Sequence, residues 1–254
     1  MNKHYVNTII ISDIHMGSSL ENLDAIEYIL DTYVANTWIF NGDIFDFWKM
    51  FYYPFNEKDK VITKKHLDII SRIIELTNYS NVIYVTGNHD DLIRNFTPFV
   101  INDIKFVDKY IFTDKLNRKC CVIHGDSFDV FSSKLDSIAK VSDFIFHSYI
   151  SKKKYMQKFA EFIIDKVKHI VNTTSNFNNK VIQYAIQNDY DIIICGHTHI
   201  PCFDYAAGRL YINSGDFVDS NSYITEEREG EWLINFIKKD RSHSTLQYQH
   251  SPIL

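Results

Sequence analysis

Apolar residues in this chain gather in short, mostly β-branched runs, and five of these runs stop abruptly at a polar motif. Residues 6–11 lead into Ser12-Asp13-Ile14-His15, and residues 38–40 into Asn41-Gly42-Asp43-Ile44-Phe45-Asp46. Residues 82–85 lead into Thr86-Gly87-Asn88-His89-Asp90. Residues 120–123 lead into His124-Gly125-Asp126, and residues 192–195 into Gly196-His197-Thr198-His199. Continuous apolar runs of this length predict strands buried on both faces. Apolar positions at helical spacing over 23–33 and 66–76 predict helices between them. Strands alternating with helices predict an α/β sheet, and such sheets bind ligands beyond the carboxyl ends of their strands, where all five motifs fall. Glycine in four of the motifs permits a tight turn directly after the strand.

The rhythm breaks over residues 127–180, where no strong strand pattern appears. Lys152, Lys153 and Lys154 lead into a helical pattern with Met156, Phe159, Ile163, Val167 and Ile170 on one face. This stretch carries nine Lys against five acidic residues in a chain of net charge −5, which marks it as a helical insertion or cap. The apolar runs 210–212 and 232–236 predict late strands at an antiparallel edge.

The chain of 254 residues, 45% hydrophobic and 23% charged, has the length and composition of one folded domain, 1–254, that includes the insertion. A negative balance argues against a general nucleic-acid coat, so no nucleic-acid partner is expected. The four Cys form no C-x-x-C pair and read as reduced thiols of a cytoplasmic protein. The polar start does not resemble a signal peptide, and no apolar stretch approaches the ~20 residues needed to span a bilayer, so any membrane contact is expected at the surface.

The chemistry lies in the strand-end motifs. Asp13, His15, Asp43, Asn88, His124, His197 and His199 are all O or N donors. Such donors suit Mn²⁺, Fe²⁺ or Zn²⁺, with Mn²⁺ the first expectation. Seven donors exceed the needs of one ion with open positions and suffice for two ions sharing a carboxylate, which can clamp both ends of an in-line displacement.

Asp-x-His, Gly-Asp-x-x-Asp, Gly-Asn-His-Asp, His-Gly-Asp and Gly-His-Thr-His, in this order, resemble the signature of the calcineurin-like metallophosphoesterases over roughly residues 8–220. The resemblance implies an α/β fold, a four-layer α/β/β/α sandwich of two mixed sheets flanked by helices. It implies one metal on Asp13, His15 and His199, a second on Asn88, His124 and His197, and Asp43 bridging both. It also implies that His89 contacts phosphate and protonates the leaving group, with Asp46 as its orienting carboxylate. An imidazole can act as a general acid near neutral pH, and a carboxylate partner keeps it protonated.

A narrower resemblance is carried by residues 42–48 (Gly-Asp-Ile-Phe-Asp-Phe-Trp), 124–129 (His-Gly-Asp-Ser-Phe-Asp), 195–201 (Cys-Gly-His-Thr-His-Ile-Pro) and 211–218 (Tyr-Ile-Asn-Ser-Gly-Asp-Phe-Val). These are similar to the UDP-2,3-diacylglucosamine hydrolases of lipid A biosynthesis, which release UMP and a lipid monophosphate at the inner membrane surface. That likeness implies a nucleotide-lipid substrate met by Asn88, His89, Asp126 and Lys152–154, a cap over acyl chains at 127–180, and a peripheral place on the cytoplasmic face of the inner membrane. Phe45, Phe47 and Trp48 are further candidates to line its pocket. The established hydrolases read Asn-Arg-Asp where this chain reads Asn88-His89-Asp90, the ordinary form across the superfamily. The alternatives are a soluble phosphomonoesterase or phosphodiesterase of another substrate, and a non-catalytic binding module built on the metal fold.

Overall fold

The computed structural model describes residues 3–18, 20–46, 62–128, 176–238 and 243–248. The expected insertion, including Lys152, Lys153 and Lys154, lies outside these residues except at its two ends, and so do Phe47 and Trp48.

The chain opens with strand β1 (His4–Ile11), helix α1 (Leu23–Thr32), strand β2 (Tyr33–Asn41), helix α2 (Lys64–Leu76) and strand β3 (Asn81–Val85). A short helix α3 (Asp91–Arg94) and strands β4 (Phe99–Ile101), β5 (Ile104–Val107), β6 (Lys109–Thr113) and β7 (Lys119–Ile123) follow. The second half supplies helix α4 (Asn176–Gln187) and strands β8 (Ile192–Cys195), β9 (Cys202–Ala206) and β10 (Arg209–Asn213). Strands β11 (Ser222–Glu226), β12 (Trp232–Ile237) and β13 (His243–Gln247) complete the chain.

Two sheets form. One has eight strands in the order β13-β12-β11-β1-β2-β3-β5-β4, and the other five in the order β6-β7-β8-β10-β9. The centre of each is parallel: β1 with β2, β2 with β3, β7 with β8, and β8 with β10. The margins are antiparallel, as in β11–β12, β4–β5, β6–β7 and β9–β10. Both sheets are therefore mixed. Of the late strands, β12 lies in an antiparallel margin as expected, whereas β10 is internal and parallel to β8.

Side chains alternate across a strand, and here both faces are covered. Ile9 and Ile11 turn toward α1 and α2, joining Trp38, Phe40, Ile26, Ile29, Ile69 and Ile73 in one core. Ile10, Ile39 and Ile83 turn the other way, meeting Cys120, Val122, Ile192, Ile194 and Ile212 of the second sheet. The outer face of that sheet packs Cys121, Ile193 and Tyr211 on Val181, Ile182 and Ala185 of α4. These three cores account for the unbroken apolar runs and give the α/β/β/α layering. The cysteines are free thiols, three of them buried. Among the described residues no helix is long and apolar enough to cross a membrane.

Helix ends follow local chemistry. The Asn22 side chain accepts the Ala25 N–H (3.2 Å) and starts α1. Before α2, the Thr63 hydroxyl and N–H both meet His66 Nδ1 (2.7 and 3.1 Å), so the helix begins two residues before the periodic stretch.

Candidate metal centre

Each candidate ligand stands in a turn at the carboxyl end of a central strand: Asp13 and His15 after β1, Asp43 after β2, Asn88 after β3, His124 after β7, and His197 and His199 after β8. The first three strands belong to one sheet and the last two to the other, so the site spans the seam between sheets. Backbone hydrogen bonds fasten the turns together. Asp13 N–H donates to Gly42 O (3.0 Å), His15 N–H to Asp43 O (2.9 Å), and Gly196 N–H to His124 O (3.0 Å).

Five candidate ligands adopt left-handed backbone: Asp13 (φ 51°), His15 (51°), Asp43 (53°), His197 (64°) and His199 (60°). Asp and His are enriched there, yet each such residue still costs about 1–3 kcal/mol. Asn102, Asp103, Asn117, Asp189, Ala207 and Asn221 share this conformation elsewhere among the described residues, but only here do five such residues gather at one place. Glycine is required beside it for a different reason. A Cβ on Gly87 would stand 2.1 Å from Asp43 Oδ1, and one on Gly196 2.4 Å from Asp13 Oδ2.

The donors converge. The ligating atoms of Asp13, His15 and His199 lie within 4.8 Å of one another, as do those of Asp13, Asp43 and His124. His199 Nε2 is 3.3 Å from Asp13 Oδ1, and His124 Nε2 is 3.2 Å from Asp43 Oδ2. Asn88 Oδ1 sits 3.3 Å from His124 Nε2 and 3.1 Å from His197 Nδ1. The structure thus brings all seven side chains to one place, with Asp13 close to both His199 and His124, and with His15 and Asp43 also grouped with His89.

The remaining atoms of these side chains are held. Asp43 Oδ1 accepts His89 N–H (2.8 Å), and Asp13 Oδ2 accepts His197 N–H (3.1 Å). His124 Nδ1 bonds Asn41 O (2.9 Å), leaving Nε2 facing the centre. His15 Nε2 is buried with no hydrogen-bond partner, and Asp13 Oδ1, equally buried, faces the rings of His199 (3.3 Å) and His124 (4.0 Å). Buried polar atoms are normally satisfied. One that is not, set among carboxylates and imidazoles free of thiolate, fits a divalent metal ion.

The electrostatics agree. Burial pushes His15 down to about 4, so its ring is neutral, as a ligand must be. Burial also opposes charge on His124 and His199, but Asp43 and Asp13 lift His124 to about 10, and Asp13 and Asp216 lift His199 to about 10. Burial acts to raise Asp13, yet His124 and His199 hold it down at about 2. Without metal, two protonated imidazoles balance the buried carboxylates; cations belong at this point.

His89 stands beside the donors, its ring 4.8 Å from that of His15. Its Nδ1 is 3.5 Å from Asp46 Oδ1. Burial works against its charge, but Asp43 and Asp46 raise it to about 9. Asp46 itself is buried, 4% exposed. Asp126, expected at the substrate, has both carboxylate oxygens engaged by Arg94 (2.7 and 3.0 Å). Phe45, a pocket candidate, packs against the core beneath α1 and α2.

Three residues without an assigned role in the sequence reading support the site. Asp216 Oδ2 lies 2.9 Å from His199 Nδ1. Asp90, fully buried, accepts N–H from Gly87 (2.8 Å) and Asp43 (3.0 Å) and the Tyr84 hydroxyl (2.8 Å). Arg94 is the third. Asp90 and Asp216 both stand in strand-end motifs, and that position was their signal; a lone Arg in a four-residue helix offers none.

The solved structure of Vacuolar Protein Sorting 29 from Cryptosporidium parvum is similar in fold (TM-score 0.51, 15% identity, 95% of this chain and 97% of that one). A Streptococcus pneumoniae TIGR4 protein described as a predicted phosphoesterase aligns at TM-score 0.44 and 15% identity, over 96% of this chain and 98% of its own. An archaeal phosphodiesterase aligns at TM-score 0.38 and 15% identity, over 95% and 99%. No curated protein sequence matches the chain significantly. Residues 6–201 match the calcineurin-like phosphoesterase family, and the chain belongs to this family of metal-dependent phosphoesterases.

Proposed function

We propose that this protein is a two-metal hydrolase that cleaves the pyrophosphate bond of a nucleotide-linked lipid of the UDP-2,3-diacylglucosamine type, giving UMP and a lipid phosphate. The observation that carries the two-metal reading is the convergence of Asp13, His15, His199, Asp43 and His124 in overlapping ligand groups, with Asn88 Oδ1 3.3 Å from His124 Nε2 and 3.1 Å from His197 Nδ1 and with His15 Nε2 buried without a partner. Asp13, His15 and His199 would hold one ion, Asn88, His124 and His197 the other, and Asp43 both. Mn²⁺ is the first choice among ions that suit these donors. Two such ions supply Lewis acidity and activate water for in-line attack on phosphorus.

The chain's own residues supply the rest. As water adds to phosphorus and the bond to the leaving phosphate oxygen breaks, that oxygen needs a proton. His89 carries one at neutral pH, oriented by Asp46. Asp90 fixes the turns bearing Asp43 and His89 through the two N–H groups it accepts.

The lipid part rests on the motifs at 42–48, 124–129, 195–201 and 211–218 and on the Lys-rich stretch with an apolar helical face at 127–180. Lys152, Lys153 and Lys154 would meet substrate phosphate or anionic headgroups at a membrane surface. The test is Mn²⁺-dependent UMP release from UDP-2,3-diacylglucosamine in detergent, beside an aryl phosphodiester. UMP release that fades with shorter acyl chains supports the lipid substrate. Cleavage of the aryl ester alone keeps the two-metal chemistry and overturns the lipid assignment. Two bound Mn²⁺ with no turnover of any phosphoester would leave a binding module.

A further inference from the structure

Arg94 joins two parts of the molecule that the fold leaves separate. It ends α3, five residues past His89, in the segment that follows β3 in the eight-stranded sheet. Its Nη1 donates to Asp126 Oδ2 (2.7 Å) and its Nη2 to Asp126 Oδ1 (3.0 Å), a two-pronged pairing. Asp126 lies two residues past His124, in the turn after β7 of the five-stranded sheet. Nη2 also donates to Thr86 O (2.8 Å), and Nε to Thr86 Oγ1 (3.4 Å). Thr86 opens the turn that carries Asn88, and its hydroxyl is anchored on Asp108 Oδ1 (3.0 Å).

These four bonds engage four of the five N–H donors of a guanidinium. Its charge is matched by a carboxylate that both prongs reach, and the side chain is only 30% exposed. Arg94 is thus built to hold protein rather than to meet a substrate anion. What it holds are the turns bearing Asn88 and His124, whose Oδ1 and Nε2 stand 3.3 Å apart across the seam between the sheets. Groups bonded directly to metal ligands commonly alter metal affinity about 10–100-fold, and Arg94, which reaches Asn88 and His124 only through the turns that bear them, acts one step further back.

We propose that Arg94, through Asp126 and Thr86, is a positioning residue for the half of the site formed by Asn88, His124 and His197, and so sets affinity for one of the two metal ions; this rests on the two-metal reading above. The experiment is a calorimetric Mn²⁺ titration of the full chain, with metal content measured independently, for wild type, Arg94→Gln, Asp126→Asn and the double variant. Thermal unfolding without metal is followed in parallel. Arg94→Gln is expected to bind one Mn²⁺ with wild-type affinity and the other more weakly, by about tenfold, the low end of the range for groups bonded directly to ligands. The double variant should be no weaker than either single one, because the pair acts as a unit. Arg94→Lys keeps the charge but not the fork, so it should share the defect; it also serves should the Gln variant fail to fold. Wild-type affinity at both sites, or equal weakening of both together with a lower unfolding temperature, would overturn the proposal. Fewer than two Mn²⁺ in the wild type would instead defeat the two-metal reading itself.

Discussion

His199 is held from behind by Asp216: His199 Nδ1 lies 2.9 Å from Asp216 Oδ2, while its Nε2 faces Asp13 Oδ1 at 3.3 Å. Asp216 is itself fixed by the Ser220 hydroxyl and N–H (both 2.7 Å). A carboxylate in this place orients the ring and fixes which nitrogen faces the centre. Asp216→Ala should therefore weaken the metal on Asp13, His15 and His199 by about 10–100-fold and leave the other nearly unchanged. Site-resolved Mn²⁺ titration checks this, and unchanged affinity at both positions would refute the orienting role.

The Asp46–His89 pair predicts a pH profile. In the metal-free protein Asp43 and Asp46 raise His89 to about 9 against the pull of burial; metal on Asp43 would offset that carboxylate and bring His89 down, leaving Asp46 as the partner that holds its proton until pH rises. Turnover should fall on an alkaline limb that reports this loss. Asp46→Asn removes one raising influence, so the limb should move to lower pH. His89→Ala should abolish that limb and cut turnover about 10²–10⁴-fold, with both metals still bound. A pH–rate profile of kcat with metal saturating decides it. An alkaline limb that stays in place in Asp46→Asn would count against the pairing.

Gly87 makes a steric prediction. Its missing Cβ would lie 2.1 Å from Asp43 Oδ1 and 2.6 Å from Asp43 N, and neither can yield without displacing the shared carboxylate. Gly87→Ala should therefore lower stability by about 1–3 kcal/mol, the usual range for overpacking a closed site, and abolish binding at both metal positions. Urea unfolding beside metal analysis tests the two effects separately. A stable variant that retains both metals would show that the turn has slack.

The same strand-end logic explains what could be read from the chain. The runs at 6–11, 38–40, 82–85, 120–123 and 192–195 are apolar throughout most of their length because both faces are covered, so they stand out, and the donors after them mark the site. The strands that escaped notice lack that contrast. β11 is buried along its length, yet it reads Ser-Tyr-Ile-Thr-Glu, because Ser222, Thr225 and Glu226 find polar partners inside. Glu226 accepts from the Thr8 hydroxyl (2.7 Å) and Lys115 N–H (2.7 Å), and Thr225 Oγ1 accepts from Asn235 (2.9 Å). β6 alternates half-buried and exposed positions at a sheet edge, and β4 has only three residues. The pairing of Arg94 with Asp126 joins residues 32 apart, and no local pattern announces such a contact.

Metal binding should release protons. In the metal-free protein Asp43 and Asp13 raise His124 to about 10 against burial, and Asp13 and Asp216 do the same for His199, whereas the unfolded values lie near 6.5. Groups raised on folding contribute stability that is complete below about pH 6.5 and is lost as pH climbs toward 10. The metal-free protein should thus lose stability across that window. A metal ligand must be a neutral imidazole, so each ion that binds displaces a proton from one of these rings. Mn²⁺ affinity should then rise with pH until about 10, where the folded-state rings lose their protons, and the gap in unfolding temperature between loaded and metal-free protein should widen in step. Calorimetry in two buffers of different ionisation enthalpy reads the protons directly. A binding heat independent of buffer would mean that the rings are already neutral and that the carboxylates are balanced in some other way.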